Sequence, residues 1–488
     1  MKLKFFLISS LLFLTSIFIG CQCQFQVNGI ISTEKESWQV NKTISFIKFN
    51  EKDSFDFEIL TDEKEQIIDG FGGCFNELGW DALKVLNQRD REAVLKSLFS
   101  ADGCNLNICR MPIGANDFAR NWYSLNDSVG DYEMNYFNIE RDKSSLISFI
   151  KSAMKIQPKL KIWGSPWCPP AWMKKNGYYA CSPSPYNDLD PNLPRRENGD
   201  TDFITDDKTQ QAYALYFVKY IKAYQALGIN VYAVHVQNEP HSCQSFPSCL
   251  WRGQDLKHFI CNYLGQAIER AGLATEIWYS TFERPYEGEW AAEIDSLLND
   301  ERAMRYVKGF GFQWAGKNAI PEVHQKNPNL KLMHTETECG DGKNTWEQAE
   351  YIYDLIRHYF DHGANAQMYW NMILSENPRS PWGWSQNSMI TIDSKNQLVI
   401  YNPEFYVMKH FSHFIKPGAF KLTIVGSRGN ELAFQNPNGE IILIVNNDQE
   451  PSKEMRVKIA AKLFIINLRG HSFNSVIIRL DSREKAKK

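Results

Sequence analysis

Val231-Tyr232-Ala233-Val234-His235-Val236-Gln237-Asn238-Glu239-Pro240 is an apolar run that stops at three residues of a different kind. Its valines suit a buried strand, and the proline at its end cannot continue a hydrogen-bonded ladder, so a carboxylate is delivered to the strand's C-terminal end. Just before it, residues 209–227 carry apolar side chains at three- and four-residue spacing, the period of an amphipathic helix. Helix followed by strand recurs along the chain. Strands are predicted over residues 67–73, 106–112, 160–165, 231–237, 276–281, 307–314, 330–336 and 366–371, with helical stretches such as 346–362 between them. Eight such strands predict an α/β fold, a (β/α)8 TIM barrel with enlarged loops. A doubly wound open sheet competes with it, but no glycine-rich phosphate fingerprint follows any of the strands.

Beyond Gly418 the helical stretches cease. Short β-rich runs at 420–426, 432–435, 441–446, 455–459 and 475–480 follow one another, with Pro437-Asn438-Gly439 as a turn signal between two of them. They predict an antiparallel β-domain. Residues 45–60 are also strand-like and are expected to complete the same β-sandwich, which would then be built from both termini. The expected division is a signal peptide over 1–20, N-terminal sandwich strands over 25–65, the barrel over 66–415 and the C-terminal sandwich over 416–488.

A net charge of -3 without any long basic tract argues against a nucleic-acid surface. Lys2 and Lys4 precede an apolar run from Phe5 to Ile19, too short to span a bilayer and suited to an export signal. Gly20-Cys21 at its end resembles a lipobox, although Phe18 stands where leucine is usual; the expectation is an exported chain of a bacterial cell envelope, lipid-anchored at Cys21. The remaining cysteines form no CxxC pair and no Cys/His cluster, so no metal site is expected. Cys243 and Cys249 bracket a short polar loop that a disulfide would close.

Active sites of such barrels lie at the C-terminal ends of the strands. The fourth predicted strand ends in Asn238-Glu239-Pro240, and the seventh runs into His334-Thr335-Glu336-Thr337-Glu338. Two carboxyl groups facing each other across a barrel mouth are the equipment of glycoside hydrolysis, one donating a proton to the leaving oxygen and the other attacking the anomeric carbon or activating water. Glu336 follows the apolar strand more closely than Glu338 and is the better candidate for the buried member.

The motifs then become specific. Gly70-Phe71-Gly72-Gly73, Arg110-Met111-Pro112, Asn116-Asp117-Phe118, Ser165-Pro166-Trp167, Asn238-Glu239-Pro240, Thr335-Glu336, Trp370-Asn371 and Trp384-Ser385-Gln386-Asn387 stand in order at successive strand ends. From about Phe55 onward the chain resembles glycoside hydrolase family 30, the glucosylceramidase-like family. The resemblance implies a TIM barrel with an attached β-sandwich and a retaining β-glycoside hydrolase of glucosylceramidase type that needs no cofactor. It implies Glu239 as acid/base, Glu336 as nucleophile and Asn238 on the sugar 2-hydroxyl. Asp117, Trp167, Trp370 and Asn387 would line the sugar subsite, with Arg110 below the nucleophile. Phe312-Gln313-Trp314-Ala315-Gly316 departs from the His-Trp-Tyr of the human-type enzyme, which speaks against a ceramide-like substrate. An endo-acting β-1,6-glucanase and a non-catalytic glycan-binding lipoprotein are the alternative readings.

Overall fold

The computed structural model describes residues 26–192, 200–426 and 429–479. The expected signal segment and Cys21 lie outside the described residues. Eight parallel strands close into a barrel: β1 (Gly70–Cys74), β2 (Ile108–Pro112), β3 (Lys161–Ser165), β4 (Val231–His235), β5 (Glu276–Phe282), β6 (Val307–Gln313), β7 (Lys331–Glu336) and β8 (Ala366–Asn371). All but a few of their residues are buried, as expected where side chains fill the barrel on one face and helices cover the other.

The helices form for local reasons that can be named. In α1 (Asp207–Ala226) the Asp206 side chain accepts from the Thr209 amide at 3.0 Å, capping the first turn. Tyr213, Tyr216, Tyr220 and Tyr224 recur at helical spacing on its buried face. In α2 (Trp346–Asp361) Thr345 caps the start, and Trp346, Ile352, Tyr353, Ile356 and Tyr359 face inward.

Outside the barrel, ten strands form one continuous, mostly antiparallel ladder. The first described strand, Gln26–Thr33, lies between Gln39–Val40 and the last described strand, Ser472–Arg479, so N-terminal and C-terminal segments meet in this sheet. One cluster of buried side chains joins Leu443, Val445, Val476 and Ile478 to Val457, Ile459, Phe464 and Ile466 from the other half of the ladder, which is therefore folded over onto itself as a sandwich. Phe57–Ile68 spans the two halves, and its pairing with Ala419–Val425 shifts register twice. Alternate residues of Ile441–Asn447 face the other way: Ile442 and Ile444 join the barrel's core cluster, where Phe473 packs on Trp346. His410 bridges Ser475 at 2.7 Å and Ser32 at 2.9 Å, tying both terminal strands to the helix α3 (Pro403–Ser412).

Several details differ from the sequence reading. Residues 45–60 form two strands, Ile44–Lys48 and Phe57–Ile68, because Asn50 and Asp53 close a tight turn between them. Ile67 and Ile68 belong to the second of these and not to the barrel, whose first strand begins at Gly70. A strand at Lys462–Leu468 was not anticipated. The nine described cysteines are buried and form no disulfide among the described residues, and Cys243 packs with Cys181 and Leu250, not with Cys249.

Candidate active site

At the C-terminal mouth of the barrel a cavity of about 380 Å³ is lined by Asp117, Trp167, Asn238, Glu239, Glu283, Trp314, Glu336 and Gln386 among others. The chain brings them there by short excursions past the strand ends. Glu239 sits in a left-handed backbone conformation at φ +44°, uncommon for a side-chain-bearing residue, and its amide is held by Thr281 of β5 through Oγ1 at 3.2 Å. Between β6 and β7 the register slips at Phe312/Gln313, so that Gln313 stands opposite Glu336.

Arg110, fully buried on β2, organises the floor. Its Nη1 donates to Glu336 Oε2 at 2.7 Å, its Nη2 to Asn238 Oδ1 at 2.6 Å and to Ser165 Oγ at 2.9 Å. The guanidinium lies 4.2 Å from the ring centre of Trp167, which fixes it from the side. Asn238 Oδ1 also accepts from Thr281 Oγ1 at 2.9 Å, which sets the amide's orientation and turns its Nδ2 to the cavity it lines.

One amide joins the two glutamates. Gln313 Nε2 donates to Glu239 Oε1 at 2.9 Å and reaches Glu336 Oε2 at 3.4 Å, while Thr335 Oγ1 donates to Gln313 Oε1 at 2.9 Å and holds the group. Gln244 Nε2 adds a bond to the other Glu239 oxygen at 3.2 Å. Burial pushes both carboxyls up, Glu336 to about 8, against the pull of Arg110. The guanidinium is bonded to Glu336 and not to Glu239, so it favours the ionised form of Glu336 more than that of its partner. Glu338, two residues on, turns outward to Lys317 Nζ at 2.6 Å and Tyr351 Oη at 2.7 Å.

Asp117, on the β2 side, is 5% exposed, and its Oδ1 has no partner in the protein; burial pushes its carboxyl up to about 7. Trp167 presents itself on the same side. The structure thus gathers Asp117, Trp167, Asn238, Glu239 and Glu336 around one cavity and sets Arg110, Trp370 and Asn387 behind its wall. Trp370 is fully buried, its indole N–H donating to Gln386 Oε1 at 2.7 Å. Asn387 differs from the expectation that it would line the subsite. Its Oδ1 accepts from the Gly342 amide at 2.8 Å and its Nδ2 donates to Glu404 at 2.6 Å, so both ends of the side chain are committed. Its neighbour Gln386 faces the cavity instead, because adjacent residues of an extended segment point to opposite sides. Glu283 was not singled out from the sequence, and Gln313 was noted only within a stretch that departs from the family's pattern. Each lies at or one residue past a strand end, the position that marked Glu239 and Glu336.

Residues 68–415 match the sequence profile of the glycosyl hydrolase family 30 TIM-barrel domain. The chain belongs to glycosyl hydrolase family 30. A provisionally named glucosylceramidase 1 of Caenorhabditis elegans is 30% identical over 415 residues, covering 80% of this chain and 75% of that one. The lysosomal acid glucosylceramidase of Mus musculus is 27% identical over 79% of this chain and 76% of its own. An endo-1,6-β-D-glucanase of Aspergillus fumigatus is 28% identical over 78% and 79%. Among solved structures, SrfJ from Salmonella typhimurium superposes with a TM-score of 0.81 at 24% identity, over 93% of this chain and all of that one. An endo-β1,6-glucanase follows at 0.77 and 24%, over 92% and 99%. At that identity these two likenesses concern the fold. As a member of the family the chain is a glycoside hydrolase acting on a carbohydrate-containing substrate.

Proposed function

We propose that this family 30 hydrolase cleaves β-glucosidic bonds with retention, by double displacement. The observation that carries the reading is the single Gln313 amide within reach of both carboxyl groups, one of which is bonded to Arg110. An amide that small between two carboxyls suits the separation of about 5–5.5 Å found in retaining pairs better than the roughly 6.5–9.5 Å that makes room for a water. Glu336, with the guanidinium beside it, attacks the anomeric carbon as Glu239 passes its proton to the departing oxygen. Water then displaces Glu336 from the glycosyl-enzyme, giving up a proton to Glu239 and regenerating both groups. Asn238 Nδ2 and the unpaired Asp117 oxygen are placed to meet sugar hydroxyls, and the face of Trp167 to support the ring.

Trapping with a 2-deoxy-2-fluoro β-glucoside tests the assignment. The label is expected on the peptide carrying Glu336, and the first product seen by NMR is the β-anomer. A label on Glu338, or an α-anomeric first product, refutes it. Failure to turn over any β-glucoside would support the non-catalytic glycan-binding reading in its place. We place the activity at a bacterial cell envelope, on the strength of the export-like start and Gly20-Cys21. Mass spectrometry of the mature N-terminus checks this, a diacylglyceryl-modified Cys21 being the expected species.

A further inference from the structure

We propose that Glu283 is a leaving-group binding residue, and that the group it receives is a hydroxyl-bearing one, a second sugar. The inference rests on the hydrolase reading above, with Glu239 as the acid, and names the class of leaving group. Glu283 is the residue directly after β5, only 4% exposed, and lines the same cavity as Glu239. Its Oε1 is fully engaged, accepting from the His241 amide at 2.9 Å and Ser242 Oγ at 2.9 Å. Its Oε2 is buried and has no hydrogen-bond partner in the protein. Buried carboxylate oxygens are costly to leave unmet, so an orphan at the wall of a substrate cavity marks where a donor arrives.

The side of the cavity decides which donor. Asp117 and Trp167 come from the β2 and β3 ends and hold the sugar whose bond is broken. Glu239, on the β4 end, faces the oxygen that departs. Glu283, Ser242, Arg284 and Trp314 lie beyond it, from the loops after β4 to β6, in the space into which the leaving group must extend. Arg284 Nη2 donates to the His241 carbonyl at 2.7 Å, holding the loop that carries Ser242 beside Glu283. A sugar there offers several hydroxyl donors to Oε2, with an aromatic face in Trp314 to lie against. An alkyl chain fills the same space but leaves the carboxyl oxygen unpaired, a difference to which buried polar groups in substrate sites are sensitive. The burial that leaves Oε2 unmet also pushes the Glu283 carboxyl up to about 7.

The test compares two substrates whose leaving groups are both primary alcohols, so that both need the acid equally: a β-1,6-linked glucose disaccharide and octyl β-glucoside. In Glu283→Gln the oxygen that accepts from His241 and Ser242 is kept, and the orphan acceptor becomes a donor. The ratio of kcat/KM for the disaccharide to that for the octyl glucoside is expected to fall about tenfold or more relative to the parent enzyme. A ratio unchanged within twofold overturns the inference. So does an equal loss on both substrates, which would mean that Glu283 acts through the charge of Glu239. Parent enzyme that cleaves neither substrate nor an aryl β-glucoside overturns the hydrolase reading itself, a result separable from the others.

Discussion

Gln313 is the residue on which the two carboxyl groups depend most evenly. A donor to a carboxylate favours its ionised form, so removing the amide raises the affinity of Glu239 for its proton. Gln313→Leu is therefore expected to shift the alkaline limb of the kcat/KM profile to higher pH, with kcat lowered about 10- to 100-fold by loss of orientation. Arg110 acts on the opposite limb. Its positive charge holds Glu336 down against burial, and Arg110→Lys keeps the charge but loses the fork that joins Glu336, Asn238 and Ser165. The acid limb should move to higher pH and KM should rise, because Asn238 loses its anchor; a profile superimposable on the parent's would show that the fork is dispensable. At this scale the two glutamates were legible because strand ends expose them. Gln313 was not, since a glutamine carries no charge and only the register slip beside it turns it inward. Asn387 was assigned from its motif, and the structure gives its side chain a different task.

That task belongs to an element. Asn387 Nδ2 donates to Glu404 in the first turn of α3, and the other oxygen of Glu404 is buried without a partner. Burial pushes this carboxyl up to about 8, far above its value of roughly 4.3 in an unfolded chain. Between those two values the folded protein binds the proton more tightly than the unfolded one, so stability declines as pH rises through that window. Glu404→Gln removes the titration while keeping an acceptor for Asn387. The variant is expected to be more stable than the parent at pH 8, by about 1–2 kcal/mol, and little different at pH 4.5. Urea unfolding at the two pH values measures it; an equal difference at both would show that the carboxyl does not titrate in the folded state. The loops after β3 and β4 share a second buried device, Lys174, whose Nζ meets the Ser248 carbonyl at 2.7 Å and Asp202 at 3.2 Å. These loops carry Gln244, which touches Glu239. Lys174→Met is expected to lower thermal stability and to raise KM, and both effects should appear together. The elements themselves were read from periodicity to within a few residues wherever apolar residues alternate or repeat cleanly. The long strand Phe57–Ile68 was hidden because Thr61 to Glu65 are polar on a solvent-facing stretch, where Glu65 pairs with Lys421 at 2.8 Å.

For the whole molecule, the informative feature is that barrel and sheet share a core. Ile442, Ile444 and Phe473 belong to the barrel's cluster, and Tyr353 of α2 donates to the carbonyls of Asn430 at 2.8 Å and Ile444 at 3.2 Å. Ending the chain after Arg469 would remove the strand Ser472–Arg479 from the middle of the ladder and uncover Gln26–Thr33 on one side and Ile441–Asn447 on the other. The truncated protein is expected to aggregate or to melt at least about 5–10 °C lower, and to lose activity with the fold. Calorimetry and light scattering decide it. A truncated chain with the parent's melting temperature would mean that the barrel stands alone. The joining of the two termini in one domain was legible from the run of short strands at the end of the chain and the strand-like segment before the barrel. The order of the strands along one ladder was not, because sequence periodicity shows which face of a strand is buried but not which strand lies beside it.

The pairing of Gln26–Thr33 with Ser472–Arg479 also has a meaning in time. The first strand leaves the ribosome well before its partner is made, and at about 5–20 residues per second the wait is on the order of tens of seconds. During that interval the barrel strands can find one another, but the early strand has one neighbour, Gln39–Val40, and an open edge. Closure of the sheet can then occur only once Ser472–Arg479 has been made. A product that stops short of Ser472–Arg479 keeps an open strand edge, a template for pairing with other chains.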